Sequence, residues 1–206
     1  MIHGYHVIWG AYGFWLPNDP RGSWSDFVYS WELARFGKST KSCERTEIDG
    51  TAWDTWRRAA ITGLRYTPIR FTDEQVRAVA AGFAHGVLKS GYTIWACSIL
   101  AEHVHMVIAR HTYKVEQICN LLKGEATRQL KAQSLHPHVL HADRRGKFPS
   151  TWAEQEWKVY LDSEPAIETA IRYVEENPEK EGQPRQSWPF VTPFAGLDKS
   201  GWVTYH

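Results

Sequence analysis

The stretch "YTIWACSILAEHVHMVIAR" (Tyr92–Arg110) decides the fold. Its first half is rich in β-branched and aromatic residues and reads as a strand. Its second half, "EHVHMVIAR", follows almost without a break and is most simply the hairpin partner of the first. Side chains alternate across a strand, so His103, His105, Val107 and Ala109 share one face and Val104, Met106 and Ile108 the other. The second set is the core face. The two histidines then lie on one side of a strand, about 6.6 Å apart along it at ~3.3 Å per residue. That is a spacing from which two imidazoles can converge on one ion.

Working outward, "FTDEQVRAVAAGFAHGVLKSG" (71–91) precedes the hairpin as a helix. Thr72 is its N-cap, Gln75 stands at the capping-box position, and Gly91 is its stop. Val76, Val79, Ala80, Phe83 and Val87 form its inward stripe. After the hairpin, "KVEQICNLLKGEATRQLKAQ" (114–133) is a second helix with Ile118, Leu121, Leu122 and Leu130 inward. "EWKVYLD" (156–162) is a further strand, and "EPAIETAIRYVEEN" (164–177) a last helix, ended by Pro178. The first strand is sought in "YHVIWGAYGFW" (5–15), broken by "LPNDPRGSW". Residues from about 18 to 68 lack a period and read as an insertion, helical in part at "GTAWDTWRRAAITGL" (50–64). The order is β-α-β-β-α-β plus one helix. This predicts an α+β fold with a ferredoxin-like antiparallel sheet and helices on one face.

Composition narrows the class. Of 206 residues, 43% are apolar, which supports a real core. There are 11 tryptophans against a formal net charge of only +1, so any nucleic-acid contact must come from local patches. Cys43, Cys97 and Cys119 are odd in number and scattered, which indicates neither a disulfide framework nor a zinc knuckle. The N-terminus lacks the features of a signal peptide, and no apolar run is long enough to span a membrane. A cytoplasmic protein without a membrane partner is expected.

Chemistry concentrates in the last helix. Ile167, Ile171 and Val174 make its core stripe, while Tyr173 and Asn177, at i and i+4, are neighbours beside it next to Ala166 and Ala170. Two imidazoles and an amide oxygen would give an open, uncharged site for Mg²⁺ or Mn²⁺. Such an ion can polarise a phosphodiester. A nearby cation would also lower the tyrosine pKa from ~10 and so activate the phenol as a nucleophile. A second histidine pair, His136 and His138 in "LHPHVLH", holds a proline and reads as a solvated loop, with His141 following.

These pieces resemble the HUH single-tyrosine transposases, in particular the REP-associated tyrosine transposases of bacteria. The resemblance rests on "EHVHMVI", on "STWAEQEWKVYLDSEPAIETAIRYVEENPEKEG" and on "IWGAYGFWLPNDPRG", and runs from about Tyr5 to Gly182. It implies a transposase domain over 1–182, with the insertion at 18–68, and a tail over 183–206. It implies His103, His105 and Asn177 as ligands of Mg²⁺ or Mn²⁺, and Tyr173 as the nucleophile that takes the 5′ phosphate of cleaved single-stranded DNA. The family acts on imperfect hairpins of repetitive extragenic sequences. Where it usually has Asn before the first histidine, this chain has Glu102, whose alternate position turns it away from the metal.

The best basic stretch runs from Lys123 to Lys147, with six basic residues against two acidic ones. Lys123, Arg128, Lys131, Arg144 and Arg145 are its candidate phosphate contacts. Trp15, Trp24 and Trp152 are candidates for stacking on unpaired bases, and Arg185 and Trp188 for contact with a hairpin stem. Rivals are an inactive hairpin-binding regulator and a rolling-circle-type nickase. Histidine-triad hydrolases need a third His where Val107 stands, and two-histidine phosphoesterases need a motif that His111 and Thr112 do not supply. Monomer and homodimer both stay open.

Overall fold

The computed structural model describes residues 1–14, 16 and 50–197. The hairpin sits at its centre. β1 (Gly4–Ala11), β2 (Ile94–Ile99), β3 (His103–Ala109) and β4 (Trp152–Leu161) form one sheet in the order β2-β3-β1-β4. Every ladder is antiparallel. Four α-helices are described: α1 (Gly50–Thr62), α2 (Asp73–Ser90), α3 (Val115–Ala132) and α4 (Glu164–Lys180). With α1 set aside as part of the insertion, the order β1-α2-β2-β3-α3-β4 and this strand arrangement are those of the ferredoxin-like sheet.

α2 begins and ends as its residues dictate. Thr72 accepts from the Gln75 amide while the Gln75 side chain accepts from the Thr72 amide. Gly91 takes the left-handed conformation at φ 69°, which costs a residue without a Cβ almost nothing. α2 packs closely on α3. At Gly82 a Cβ would fall 2.5 Å from the Ala126 Cα, so only glycine allows this approach.

The two faces of the sheet bury different things. Val104, Met106 and Ile108 join Val7, Trp9, Phe83, Ile118 and Leu122 in the main core beneath α2 and α3. Val107 and Ala96 point the other way and pack with Ile167, Ala170 and Val174 of α4. The expected division of the β3 side chains therefore holds, and the tyrosine helix covers the face that carries the histidines.

Some expectations are corrected. β1 stops at Ala11, where the ladder to β4 shifts register, rather than running on to residue 15. Leu121 is 38% exposed, while Val115, Cys119 and Ala126 fill the α3 stripe. α4 does not end at Pro178 but runs on to Lys180. Proline there forfeits one ladder bond near the helix end, and burial of the Pro178 ring works against that loss. Ala170 is packed in the smaller core and leaves no open space.

The "LHPHVLH" segment is not solvated: His136 and His138 are each only 3% exposed. His136 Nε2 meets Thr151 Oγ1 at 3.1 Å, and His138 Nε2 meets the Thr67 carbonyl at 3.0 Å. The irregular tail lies along the β2 edge. The Gln186 side chain accepts from Ile99 N and donates to Ile99 O, both at 2.8 Å, as a neighbouring strand would. No described helix is long and apolar enough to cross a membrane.

Candidate active site

His103 and His105 are both buried, with ring centroids 4.9 Å apart, as the period of two requires. The turn after β1 reaches over them, and Phe14 stacks on His103 at 4.5 Å and 18°. Across the sheet, Ser98 pairs with His105 in the β2–β3 register and carries a buried hydroxyl with no hydrogen-bond partner among the described residues.

α4 and its C-cap residue supply the remaining groups in a ladder of i, i+4 steps. Tyr173 stands with its ring centroid 5.7 Å from that of His105 and is 43% exposed. One turn on, Asn177 is buried, and its amide nitrogen has no hydrogen-bond partner among the described residues. Another turn on, the Glu181 carboxylate lies 3.8 Å from His103 Nε2. Lys180 lies over the Tyr173 ring at 4.6 Å and pairs with Glu176 at 3.4 Å.

A third histidine joins the pair. His6 follows the phase of β1 that faces away from Val7 and Trp9, and so shares the face of His105. Its Nε2 lies 3.4 Å from His105 Nδ1. Trp157 of β4 and Tyr173 meet the His6 ring edge to face, at 5.3 and 5.6 Å. Burial holds the His6 pKa down at about 4. Burial also pushes His105 well below the usual range, helped by His103, His6 and Lys180. Both rings are neutral at pH 7, the state in which imidazole offers a lone pair to a metal.

His103, His105 and Asn177 carry donor types that a divalent ion accepts. No group of three His, Cys, Asp or Glu that could hold a metal is assembled among the described residues. His103 and His105 lie together on β3 with the exposed Tyr173 beside them, and Asn177 stands one turn beyond Tyr173 on α4 with its side chain buried.

The expected DNA contacts are dispersed. Trp15 and Trp24 lie outside the described residues. Trp152 is no stacking platform: it is 5% exposed, packs with Trp9, Phe71 and Phe83, and donates its indole N–H to the Lys123 carbonyl. Lys123 is not a surface cation either. It is 6% exposed, pairs with Glu156 at 3.2 Å and lies near the Trp9 ring on the core side of the sheet. Arg128 reaches Glu125, and Lys131 lies over Phe148. Arg144 and Arg145 are exposed in the loop before β4. Arg185 pairs with Glu179, and Trp188 stacks on Phe190 against the core. A groove of about 420 Å³ between α3 and the start of β4 is lined by Asn120, Arg128, Lys131, Ser150 and Glu154. Glu102 turns to Arg70 at 2.6 Å, away from the histidines.

Sequence reading missed His6, Phe14, Lys180 and Glu181. Only His6 left a signal, as a polar residue in the outward phase of an apolar strand.

No family model matches this chain, and no curated protein matches it. Two solved structures are similar in the path of the chain. One is a REP-associated tyrosine transposase bound to a REP hairpin, 12% identical over 92% of this chain and 76% of that one, with a TM-score of 0.47. The other is a candidate transposase from Deinococcus radiodurans R1, 11% identical over 90% of this chain and 94% of that one, with a TM-score of 0.43.

Proposed function

We propose that this protein is a metal-dependent endonuclease and strand transferase for single-stranded hairpin DNA, acting through Tyr173. The observation that supports it is the meeting of an exposed tyrosine with a pair of buried histidines, the tyrosine standing one turn from a buried asparagine on the same helix. They come from β3 and α4, 68 residues apart between His105 and Tyr173. A core built only for packing has no need of that set. Tyr173 is also partly open to solvent beside the buried histidines.

His103, His105 and Asn177 would hold Mg²⁺ or Mn²⁺, which when bound stabilises charge on the phosphoryl oxygens. The Tyr173 phenol oxygen attacks phosphorus. The Tyr–O–P bond forms as the bond from phosphorus to the 3′ oxygen breaks, and the phenol proton passes through solvent to the departing 3′ hydroxyl. The 5′ phosphate stays on the enzyme as an ester of similar energy, so the 3′ hydroxyl of a second strand end reverses the step without ATP. Lys180, over the Tyr173 ring, places a positive charge beside the reacting phosphate. Phe14 and the packing beneath α4 hold the rings and the helix in place.

Hairpin DNA as substrate follows the sequence resemblance, and the exposed Arg128, Lys131, Arg144 and Arg145 are the candidate basic contacts that the central stretch leaves at the surface. The test is incubation with labelled single-stranded hairpins from the DNA flanking the gene, with Mn²⁺ or Mg²⁺, read on a denaturing gel. A metal-dependent protein–DNA adduct is expected, absent in Tyr173→Phe. Equal, tight hairpin binding by both proteins with no adduct would reject the enzyme in favour of a DNA-binding regulator.

A further inference from the structure

His6 has no step in the chemistry above, yet it is 7% exposed and enclosed by groups of the site. Trp157 and Tyr173 hold its ring from β4 and α4, and its Nε2 faces His105 Nδ1 at 3.4 Å. Two neutral imidazoles in such a contact share one proton between the facing nitrogens, so one ring donates and the other accepts. The choice has a consequence. If His6 donates, the proton of neutral His105 stays on Nε2, and neither of its nitrogens has a lone pair left for an ion. If His6 accepts, His105 carries its proton on Nδ1, and its Nε2 lone pair is available.

We infer that His6 is a positioning residue for the metal site: its Nε2 accepts the Nδ1–H of His105 and commits His105 to the ligating tautomer. This rests on the reading of His103 and His105 as metal ligands. A metal-bound histidine commonly has its second nitrogen anchored by an oxygen acceptor, and removing the anchor costs 10–100-fold in metal affinity. Here an imidazole from the neighbouring strand takes that place. The register demands it: His6 pairs with Val107 and Ile8 with His105, so His6 is the diagonal neighbour of His105 on the same face.

The test uses the full chain and Mn²⁺ alone. Free Mn²⁺ is measured by electron paramagnetic resonance for the wild type, His6→Leu, His6→Gln and His103→Ala. Leu fills the space without an acceptor, whereas Gln brings an amide oxygen. Expected is a 10–100-fold loss of affinity in His6→Leu, retention within about threefold in His6→Gln, and loss in His103→Ala. Wild-type affinity in His6→Leu, with His103→Ala still weak, overturns the role of His6 and leaves the metal site standing. Equal weakening in Leu and Gln overturns the acceptor assignment. A wild type that binds no better than His103→Ala removes the metal reading and this inference with it. Imidazole ¹⁵N spectra of the metal-free wild type decide independently of any variant's folding: protonated Nδ1 at His105 is expected, and protonated Nε2 would refute the assignment.

Discussion

The chain carries two His-x-His segments, and both are buried, yet they are put to different uses. His103 and His105 lie on a strand with their rings 4.9 Å apart. His136 and His138 lie in a loop with rings 6.4 Å apart. In the loop, three of the four ring nitrogens meet protein partners: the His138 amide, Thr151 Oγ1 and the Thr67 carbonyl. Phe148 stacks on His136, and Tyr12 and Tyr66 flank His138. Those histidines tie the loop to the segments before α2 and β4. The strand pair instead meets a third histidine and a tyrosine. A short motif does not carry its use with it; the backbone beneath and the groups opposite assign it.

The contrast can be broken at either end. The largest effect is expected at the strand pair. On the proposed function, His103→Ala should lower the rate of hairpin cleavage per folded molecule by at least ~100-fold, beyond any effect of losing its stack on Phe14. Single-turnover kinetics beside a thermal melt would check it, and a large stability loss with undiminished cleavage would place the strand pair in the structural class.

His136→Ala should do the reverse. It removes the Thr151 and Phe148 contacts and leaves polar groups buried, so it should cost about 2–3 kcal/mol in urea unfolding. Cleavage per folded molecule should stay within about twofold.

A third effect is a pH dependence with a defined sign. Burial pushes the His136 pKa down to about 4. In the unfolded chain it returns to about 6.5. Between these values the unfolded state binds the extra proton, so stability is full above about pH 6.5 and falls as the pH drops toward 4. The limiting loss is about 3 kcal/mol. Unfolding of His136→Gln across that range should show a shallower fall than the wild type, and parallel curves would remove His136 from the account.

The smallest effects belong to the basic residues. Arg144→Ala and Arg145→Ala should each weaken hairpin binding a few-fold and reduce its salt dependence by about one counterion. Lys123→Met, by contrast, should leave the salt dependence unchanged and alter stability, since its ammonium is buried against Glu156.

The fold was largely readable along the chain because its signals are local. Thr72, Gln75 and Gly91 punctuate α2 by contacts within a few residues of each. The alternation through His103–Ala109 sorts core from site at once, since a strand leaves each residue only two sides. Helix flanks are harder. Leu121 and Lys123 straddle the α3 stripe, and periodicity alone would bury the leucine and expose the lysine. The opposite holds because Glu156, 33 residues away, comes close enough to pair with Lys123. α4 outruns its expected end for a similar reason: the bias of proline against a preceding helical residue is a local preference, and packing against the sheet overrides it.

The candidate site divides along the same line. By itself the sequence determined that His103 and His105 share a strand face and that Tyr173 and Asn177 share a helix face, because both follow from fixed backbone periods. Only the tertiary structure decided that these faces meet, that His6 from β1 stands against His105, that Phe14 lies over His103, and that Trp152 belongs to the core. Each is a contact between elements distant in sequence, set by strand order and by which side of the sheet α4 covers. No local period encodes that choice. It is settled by where the remaining apolar surface can be buried, and the two hydrophobic clusters on opposite sides of one sheet are how this chain settles it.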